Sequence, residues 1–306
     1  IFKKVLANFQ TRTKSFSMEQ LYREVGYSRQ GLSQHQKSEV QIDKLKSDVL
    51  ELAKVWRANH PGFSARTLFY SILNQGIYLG VGINRFERWV AEAGMNVRKS
   101  RPQVPKTSDG KGKKTYPNLT NGLVLNGINQ LIVGDITYYM VDGTWHFIFC
   151  LKDVYSQFIL CLLPSKNMKA EQAVASLKRC ISIRGAQNLK FAIHHTDNGS
   201  QYEALIYLML LNELGMQISR SKKCKENGSA EQLNDNVKNR YLIPWGVTTY
   251  SGLVKACKKI QKLNNEQRAI KQLGNRSPVQ FEEYIESLPL EMRPTKVMFD
   301  FKNNEQ

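Results

Sequence analysis

Asp135 stands in the middle of an apolar, β-branched run, LIVGDITYYM, where a charge is costly unless a cation or a partner meets it. Asp197 follows the next central apolar run, in FAIHHTDNGSQY, and Glu231 lies one turn into ENGSAEQLNDNVKNRYL, a segment of helical pattern. Carboxylates on rigid elements are hard oxygen ligands for ions of the Mg²⁺ type. Two such ions activate an attacking oxygen and stabilise a leaving one in phosphodiester chemistry. Each acid alone has an ordinary explanation: a strand acid with a local hydrogen bond, a turn-forming Asp-Asn-Gly, an exposed helical glutamate. The three together, in this order on a strand, a strand end and a helix, are far more specific. Glu226 and Asp235 compete for the third position, and the SAE context favours Glu231. Asp153, in KDVYSQ, reads as a structural turn acid. His194 and His195 read as packed strand-end residues, with His195 a second candidate for contact with water or DNA.

The elements that must position these acids follow from periodicity. The run 131–140 predicts a strand, Asp142-Gly143 a tight hairpin, and 145–151 and 158–163 two further strands. An amphipathic helix is expected over 168–181, a strand over 189–194, a helix near 203–214, a strand over 216–219, and a helix beginning within 226–242. Three antiparallel strands, then helix, strand, helix, strand, helix, is the element order of an α/β ribonuclease-H-like core with a mixed five-stranded sheet. RSPVQFEEYI carries a capping box, with Ser277 as cap and Pro278 in the first turn, and opens part of a helical tail.

The 306 residues carry a formal net charge of +18, and 42% of them are hydrophobic, enough for a substantial core. The charge is uneven: +12 falls in residues 1–120 and +6 in the remainder. That pattern predicts a polyanion-gripping arm on a globular body. The N-terminal third reads as helical. Residues 1–37 read as helix, break at Gly26, helix, with Ser28 as cap, the size of a helix-turn-helix whose second helix carries Arg29 and Gln30 toward DNA. Residues 38–97 read as a long amphipathic helix and a further helix pair, a second helix-turn-helix unit offering Arg85 and Arg88. Residues 98–125 read as a basic linker, with Arg98, Lys99, Arg101, Lys111, Lys113 and Lys114 available to phosphates. Residues 126–245 would be the catalytic core and 246–306 the tail. Lys222 and Lys223 crowd the loop before the last core helix. The five cysteines are too few and too scattered for a disulfide framework and include no Cys-x-x-Cys pair, so a reducing compartment is expected and a structural zinc is not. The longest apolar runs are too short for a membrane span. The chain begins at Ile1 rather than Met, which suggests a fragment, a processed product or part of a longer reading frame.

VGDITYY, HHTDNGSQY and NGSAEQLNDNVKN resemble the three signature blocks of the DDE transposase and retroviral-integrase superfamily. The resemblance is strongest to bacterial insertion-sequence transposases made from two overlapping frames, here the downstream, catalytic one. HPGFSARTLFYSILNQGIYLGVGINRFERWVAEAGM resembles their helix-turn-helix segment, and QLGNRSPVQFEEY their closing motif. The resemblance implies metal-dependent cleavage at transposon ends and 3′-hydroxyl strand transfer. It implies Asp135, Asp197 and Glu231 as catalytic metal ligands, two Mg²⁺ per site with Mn²⁺ able to substitute, and terminal inverted repeats and target DNA as partners. A homo-oligomer, at least a dimer, is expected on the DNA, in the cytoplasm at the bacterial nucleoid. Gly199, Ser200, Gln201 and Tyr202 match the loop that shapes the site and approaches the DNA end. Lys238, seven residues after Glu231, matches a position that holds the terminus. The spacing of 33 residues between Asp197 and Glu231 is slightly shorter than the family's usual one. The rival readings are a domesticated, non-catalytic DNA-binding repressor and a plain ribonuclease-H-type nuclease.

Overall fold

The computed structural model describes residue 19, residues 22–23, 26, 28–97, 116–221 and 224–299. The chain divides into two compact units, Ile1–Leu52 and Ala53–Gln306. In the first, Gly26 takes a positive φ and the Ser28 hydroxyl accepts from the Gly31 amide at 3.0 Å, the expected cap. The helix it starts, α1, spans Arg29–Asn59. The second helix of the expected 1–37 unit and the amphipathic helix of 38–58 are therefore one element, because no Gly or Pro interrupts 32–58.

In the second unit, α2 (Ala65–Asn74) and α3 (Ile83–Glu92) form the expected helix pair. Ser64 caps α2 through the Thr67 amide. Leu68, Phe69 and Ile72 meet Phe86, Trp89 and Val90 as buried faces, with the Phe69 and Phe86 rings 5.4 Å apart.

The five-stranded sheet has β2 (Leu131–Val141) at its centre. On one side β3 (Thr144–Asp153) and then β4 (Ile159–Ser165) pair antiparallel. On the other, β5 (Ile193–Thr196) and β6 (Gln217–Arg220) run parallel to β2. Successive strand residues face opposite sides, and the core sorts accordingly. Ile132 joins a cluster with Ala173, Leu177 and Cys180 of α4 (Ala170–Arg184). After the one-turn α5 (Ser200–Glu203), Tyr207 and Leu211 of α6 (Leu205–Glu213) complete that layer. Leu131 and Val133 join the opposite cluster with Ala230 of α7 (Gly228–Val237). Beyond α8 (Tyr250–Glu266), Phe281 and Ile285 of α9 (Pro278–Glu286) close that layer. Asp135 shares the parity of Leu131 and Val133, so it lies on the α7 face. This is the expected ribonuclease-H-like architecture.

Three details differ from the expectation. The strand expected over 189–194 is Ile193–Thr196, because 186–189 is a 3₁₀ turn and Phe191 has φ 67°. Leu189 is apolar because it plugs the core, which periodicity alone cannot distinguish from a strand. Within the expected linker, residues 116–125 are packed. Leu125 is fully buried, and β1 (Val124–Leu125) pairs with β7 (Lys296–Val297). The tail is therefore helical up to α9 but ends, within the described residues, as a strand strapped to the core.

Residues 53–95 also pack on the segment after α7. His60 is buried, with its ring nitrogens facing Tyr241 Oη (3.4 Å) and Gln267 Oε1 (2.9 Å), and its ring stacked on Phe63. The Gly62 amide donates to the Arg240 carbonyl. A Cβ at residue 62 would lie 2.4 Å from Arg240 Cα, so only glycine fits. Gly62→Ala is expected to cost about 1–3 kcal/mol through forced backbone displacement, read as a lower thermal midpoint. An unchanged midpoint would show that this packing is not rigid.

Candidate active site

Asp135 reaches the site because of what stands beside it. At Gly134 a Cβ would lie 2.9 Å from Leu151 Cδ2 and 3.1 Å from Thr196 Cγ2, so the strand closes up only with glycine there. The Gly134 carbonyl accepts from Asn227 Nδ2 at 3.2 Å, which ties the entry of α7 to β2. Lys152, buried in β3, donates to the Ser229 carbonyl at 2.7 Å and fixes the first turn of α7 from below. Its ammonium is pulled down to about 7, first by burial and then by Lys296. Three elements are thus pinned around one point: mid β2, the end of β5 and the first turns of α7.

The Asp135 carboxylate accepts from the Ile136 amide (2.9 Å) and from Asn234 Nδ2 (2.7 Å). Its pKa is raised to about 7, first by burial, then by the charge of Asp197 and, more weakly, that of Glu231. Asp197 follows β5 and is half-buried. Its Oδ1 accepts from the Gly199 amide at 3.1 Å, the turn geometry of Asp-Asn-Gly, and burial raises its pKa too, against the pull of Arg220. Glu231 is exposed on α7, and its carboxyl is raised by partial desolvation. The competing acids are engaged elsewhere. Glu226 Oε2 accepts from Asn118 (2.9 Å), and Asp235 Oδ1 from Asn239 (2.6 Å).

The donor set consists of hard oxygens, with Asp197 and, more weakly, Glu231 near enough to raise Asp135's pKa. Asp135's two hydrogen-bond donors are both neutral, so burial of its charge is not balanced by a protein cation. Those features fit a divalent cation of the Mg²⁺ type at Asp135 and Asp197. Among the described residues no group of three His, Cys, Asp or Glu side chains is gathered tightly enough to hold one ion.

The other expected site residues fall out differently. Arg29 and Gln30 are exposed on the first turn of α1. Arg85 is exposed on α3, and Arg88 lies 3.8 Å from Glu92 on the same helix. Gln201 is nearly buried, and Tyr202 is 2% exposed within the core, its ring edge-on to Tyr207. The expected approach of Tyr202 to DNA is therefore corrected: its apolar ring fills the floor behind Asp197. Lys238 is half-buried where α7 gives way to a π-helical turn, Lys238–Leu242, and its charge reaches Cys150, the register partner of Asp135. His194 and His195 are buried, bonded to Tyr207 Oη (2.7 Å) and Ser219 Oγ (2.8 Å), which is the packed reading. Asp153 is structural, accepting from the amides of Asn129, Tyr155 and Ser156. Arg98, Lys99, Arg101, Lys111, Lys113, Lys114, Lys222 and Lys223 lie outside the described residues. Asn227, Asn234 and Lys152 were not expected. Only Asn234 had a readable signal: three residues after Glu231, it shares that helix face.

Residues 126–225 match the family described as "Integrase core domain". The chain is 28% identical over 225 residues to the 31 kDa protein of insertion element IS600 from Shigella sonnei, covering 72% of this chain and 81% of that one. It is 23% identical over 234 residues to the transposase of IS629 from the same organism, covering 76% and 77%. Residues 126–225 are thus an integrase core domain, and the chain is similar to bacterial insertion-sequence transposases. The putative transposase of IS986/IS6110 from Mycobacterium tuberculosis is a further relative, 24% identical over 205 residues, covering 63% of this chain and 71% of that one. Among solved structures, the catalytic core domain of HTLV-2 integrase, in complex with magnesium, superposes with a TM-score of 0.42 at 18% identity, over 53% of this chain and 99% of that one. The integrase-core match begins just before β2 and ends just before α7, so it spans both aspartates and stops short of Glu231. No helix among its described residues is long and apolar enough to cross a membrane.

Proposed function

We propose that the chain is a DNA transposase that binds terminal inverted repeats, cleaves at the ends of its element and joins the freed 3′-hydroxyl to another DNA. Asp135, Asp197 and Glu231 are its site acids, working with Mg²⁺, two ions per site, or Mn²⁺. The bound ions supply charge neutralisation at the scissile phosphate and activation of the attacking oxygen. In cleavage a water oxygen bonds to phosphorus as the bond to the 3′ oxygen breaks. In transfer that 3′ oxygen bonds to the phosphorus of a second phosphodiester as the bond from that phosphorus to its own 3′ oxygen breaks, leaving a 3′-hydroxyl on the target strand. Asn234 orients the Asp135 carboxylate, while Asn227 and Lys152 hold the first turn of α7, and hence Glu231, against β2. Lys238 at the end of α7 offers a positive charge to the DNA terminus, and Arg29, Gln30, Arg85 and Arg88 offer contacts along it, with the N-terminal helices reading the ends. The protein acts as a homo-oligomer of at least two copies.

One observation carries this reading. Acids from two other stretches of sequence bear on the ionisation of Asp135, whose pKa is raised to about 7 first by burial, then by Asp197 and, more weakly, by Glu231. Structural acids are usually paired with cations, whereas clustered carboxylates facing one another mark a functional site. The test is an oligonucleotide assay with the element's ends, in Mg²⁺ and in EDTA. Wild type should cleave and join in Mg²⁺ alone. Glu231→Gln should bind the ends yet do neither, whereas Asp235→Asn and Glu226→Gln should retain activity. If Glu231→Gln stays active and one of the other two is dead, the third acid is misassigned. Wild type that binds ends but never cleaves in Mg²⁺ would instead fit a DNA-binding repressor.

A further inference from the structure

The helix α8 carries Lys255, Lys258, Lys259 and Lys262, spaced i, i+3, i+4 and i+7, and all four are exposed. Its other face, Leu253, Ala256, Cys257, Ile260 and Leu263, is buried in the core. The helix's one acid, Glu266, is its last residue. Lys255, Lys258 and Lys262 form no ion pair with any described residue, and Lys259 sits 5.0 Å from the Trp245 ring centroid. Four ammonium groups on one face repel one another. A solvated helix of this length would normally intersperse acids among them.

We infer that the lysine face of α8 is a phosphate-binding surface for duplex DNA, in a region the sequence assigns only to a helical tail. The inference rests on the DNA-acting reading above and adds a second grip to it, on an element that carries neither the N-terminal basic residues nor the site acids. The four lysines span about 10 Å along the helix at 1.5 Å per residue. Duplex DNA presents a charge roughly every 1.7 Å of its axis, so several phosphates lie within reach of the stripe. A lipid surface is a poor fit, because a surface-lying helix must insert its apolar face, and that face is committed to the core. Lysine without arginine is suited to point-charge contact with phosphates rather than to reading bases, so binding here is insensitive to sequence.

The test compares the full chain with two variants in EDTA, so that cleavage plays no part. One replaces Lys255, Lys258, Lys259 and Lys262 with glutamine. The other replaces four scattered exposed lysines, Lys169, Lys178, Lys190 and Lys271, with glutamine, an equal loss of charge. Affinity for a labelled duplex of arbitrary sequence is measured from low to moderate salt, with thermal midpoints as a check on folding. Wild type should bind. The α8 variant should bind at least tenfold more weakly in low salt, with the slope of log K on log salt shallower by about 2–3, at about 0.9 per lost phosphate contact. The scattered variant should change much less. Equal behaviour of the α8 variant and wild type, or equal weakening of both variants, overturns the inference and leaves the transposase reading standing. Failure of wild type to bind any duplex overturns both.

Discussion

Asp135→Asn is expected to make the metal-free protein more stable at pH 8 while abolishing strand cleavage. Asp135 has its pKa raised from 3.8 to about 7, chiefly by burial and then by Asp197. For a raised pKa the associated stability is fully present below the unfolded value, near 4, and is lost as pH rises through 7. A shift of roughly three units corresponds to about 4 kcal/mol of penalty above pH 7. Asparagine removes that penalty. It also forfeits one of the two hydrogen bonds from Ile136 and Asn234, since its amide nitrogen cannot accept, at a cost of about 1 kcal/mol. The net gain is about 2–3 kcal/mol at pH 8, fading to a net loss near pH 4, where the wild-type carboxyl is already neutral. Added Mg²⁺ should raise the thermal midpoint of wild type and not of the variant. Activity should fall at least about 10³-fold, equivalent to about 4 kcal/mol of lost transition-state stabilisation. A variant less stable than wild type at pH 8 would show that the Asp135 charge is already compensated without metal.

Acid is expected to unfold the protein near pH 4–5, driven by three buried histidines. His60 is lowered to about 4, His194 to about 3 and His195 to about 4, each first by burial and secondarily by neighbouring groups. A lowered pKa contributes stability that is present above the unfolded value of about 6.5 and is lost as pH falls toward the folded value. Each histidine withholds roughly 3 kcal/mol or more over that interval, a total on the order of 10 kcal/mol. That is comparable to the whole stability of an ordinary domain. Protonation of Asp135 opposes it with about 4 kcal/mol over the same interval, which delays unfolding without preventing it. Unfolding from pH 6 to 4 in urea should therefore be accompanied by net proton uptake. His60→Gln should reduce that uptake and make the slope of stability on pH shallower. A denaturation midpoint flat between pH 6 and 4 would mean that these rings protonate without leaving their sites.

Much of this was legible in the sequence. The β-branched run LIVGDITYYM marked a strand with Asp135 inside it, and the structure makes that strand β2, central in the sheet and covered on both sides. The Ser28, Ser64 and Ser277 caps and the order of strands and helices follow from local rules of hydrogen bonding and periodicity. The boundary errors share a cause. Leu189 and Leu125 are apolar because they fill space in the core, and a short apolar run carries no mark of whether a turn or a strand delivers it. The burial of Tyr202 was hidden for the same reason: a tyrosine in a polar loop reads as available, and only the surrounding packing decides.

What the sequence determined by itself was the inventory: which acids lie on which elements, in what order, and how far the positive charge outweighs the negative. Tertiary structure alone decided the relations between residues far apart in the chain. It set Asn234 of α7 against Asp135 of β2, Lys152 beneath the first turn of α7, and the Gly62 backbone against Arg240. These contacts join residues 77 to 178 positions apart. No local pattern encodes them, because such a contact depends on the layer spacing that the whole core fixes. The ionisation of Asp135 belongs to the same class: an aspartate in a strand says only that a charge is present, and its neighbours across the sheet decide whether that charge is held or given up.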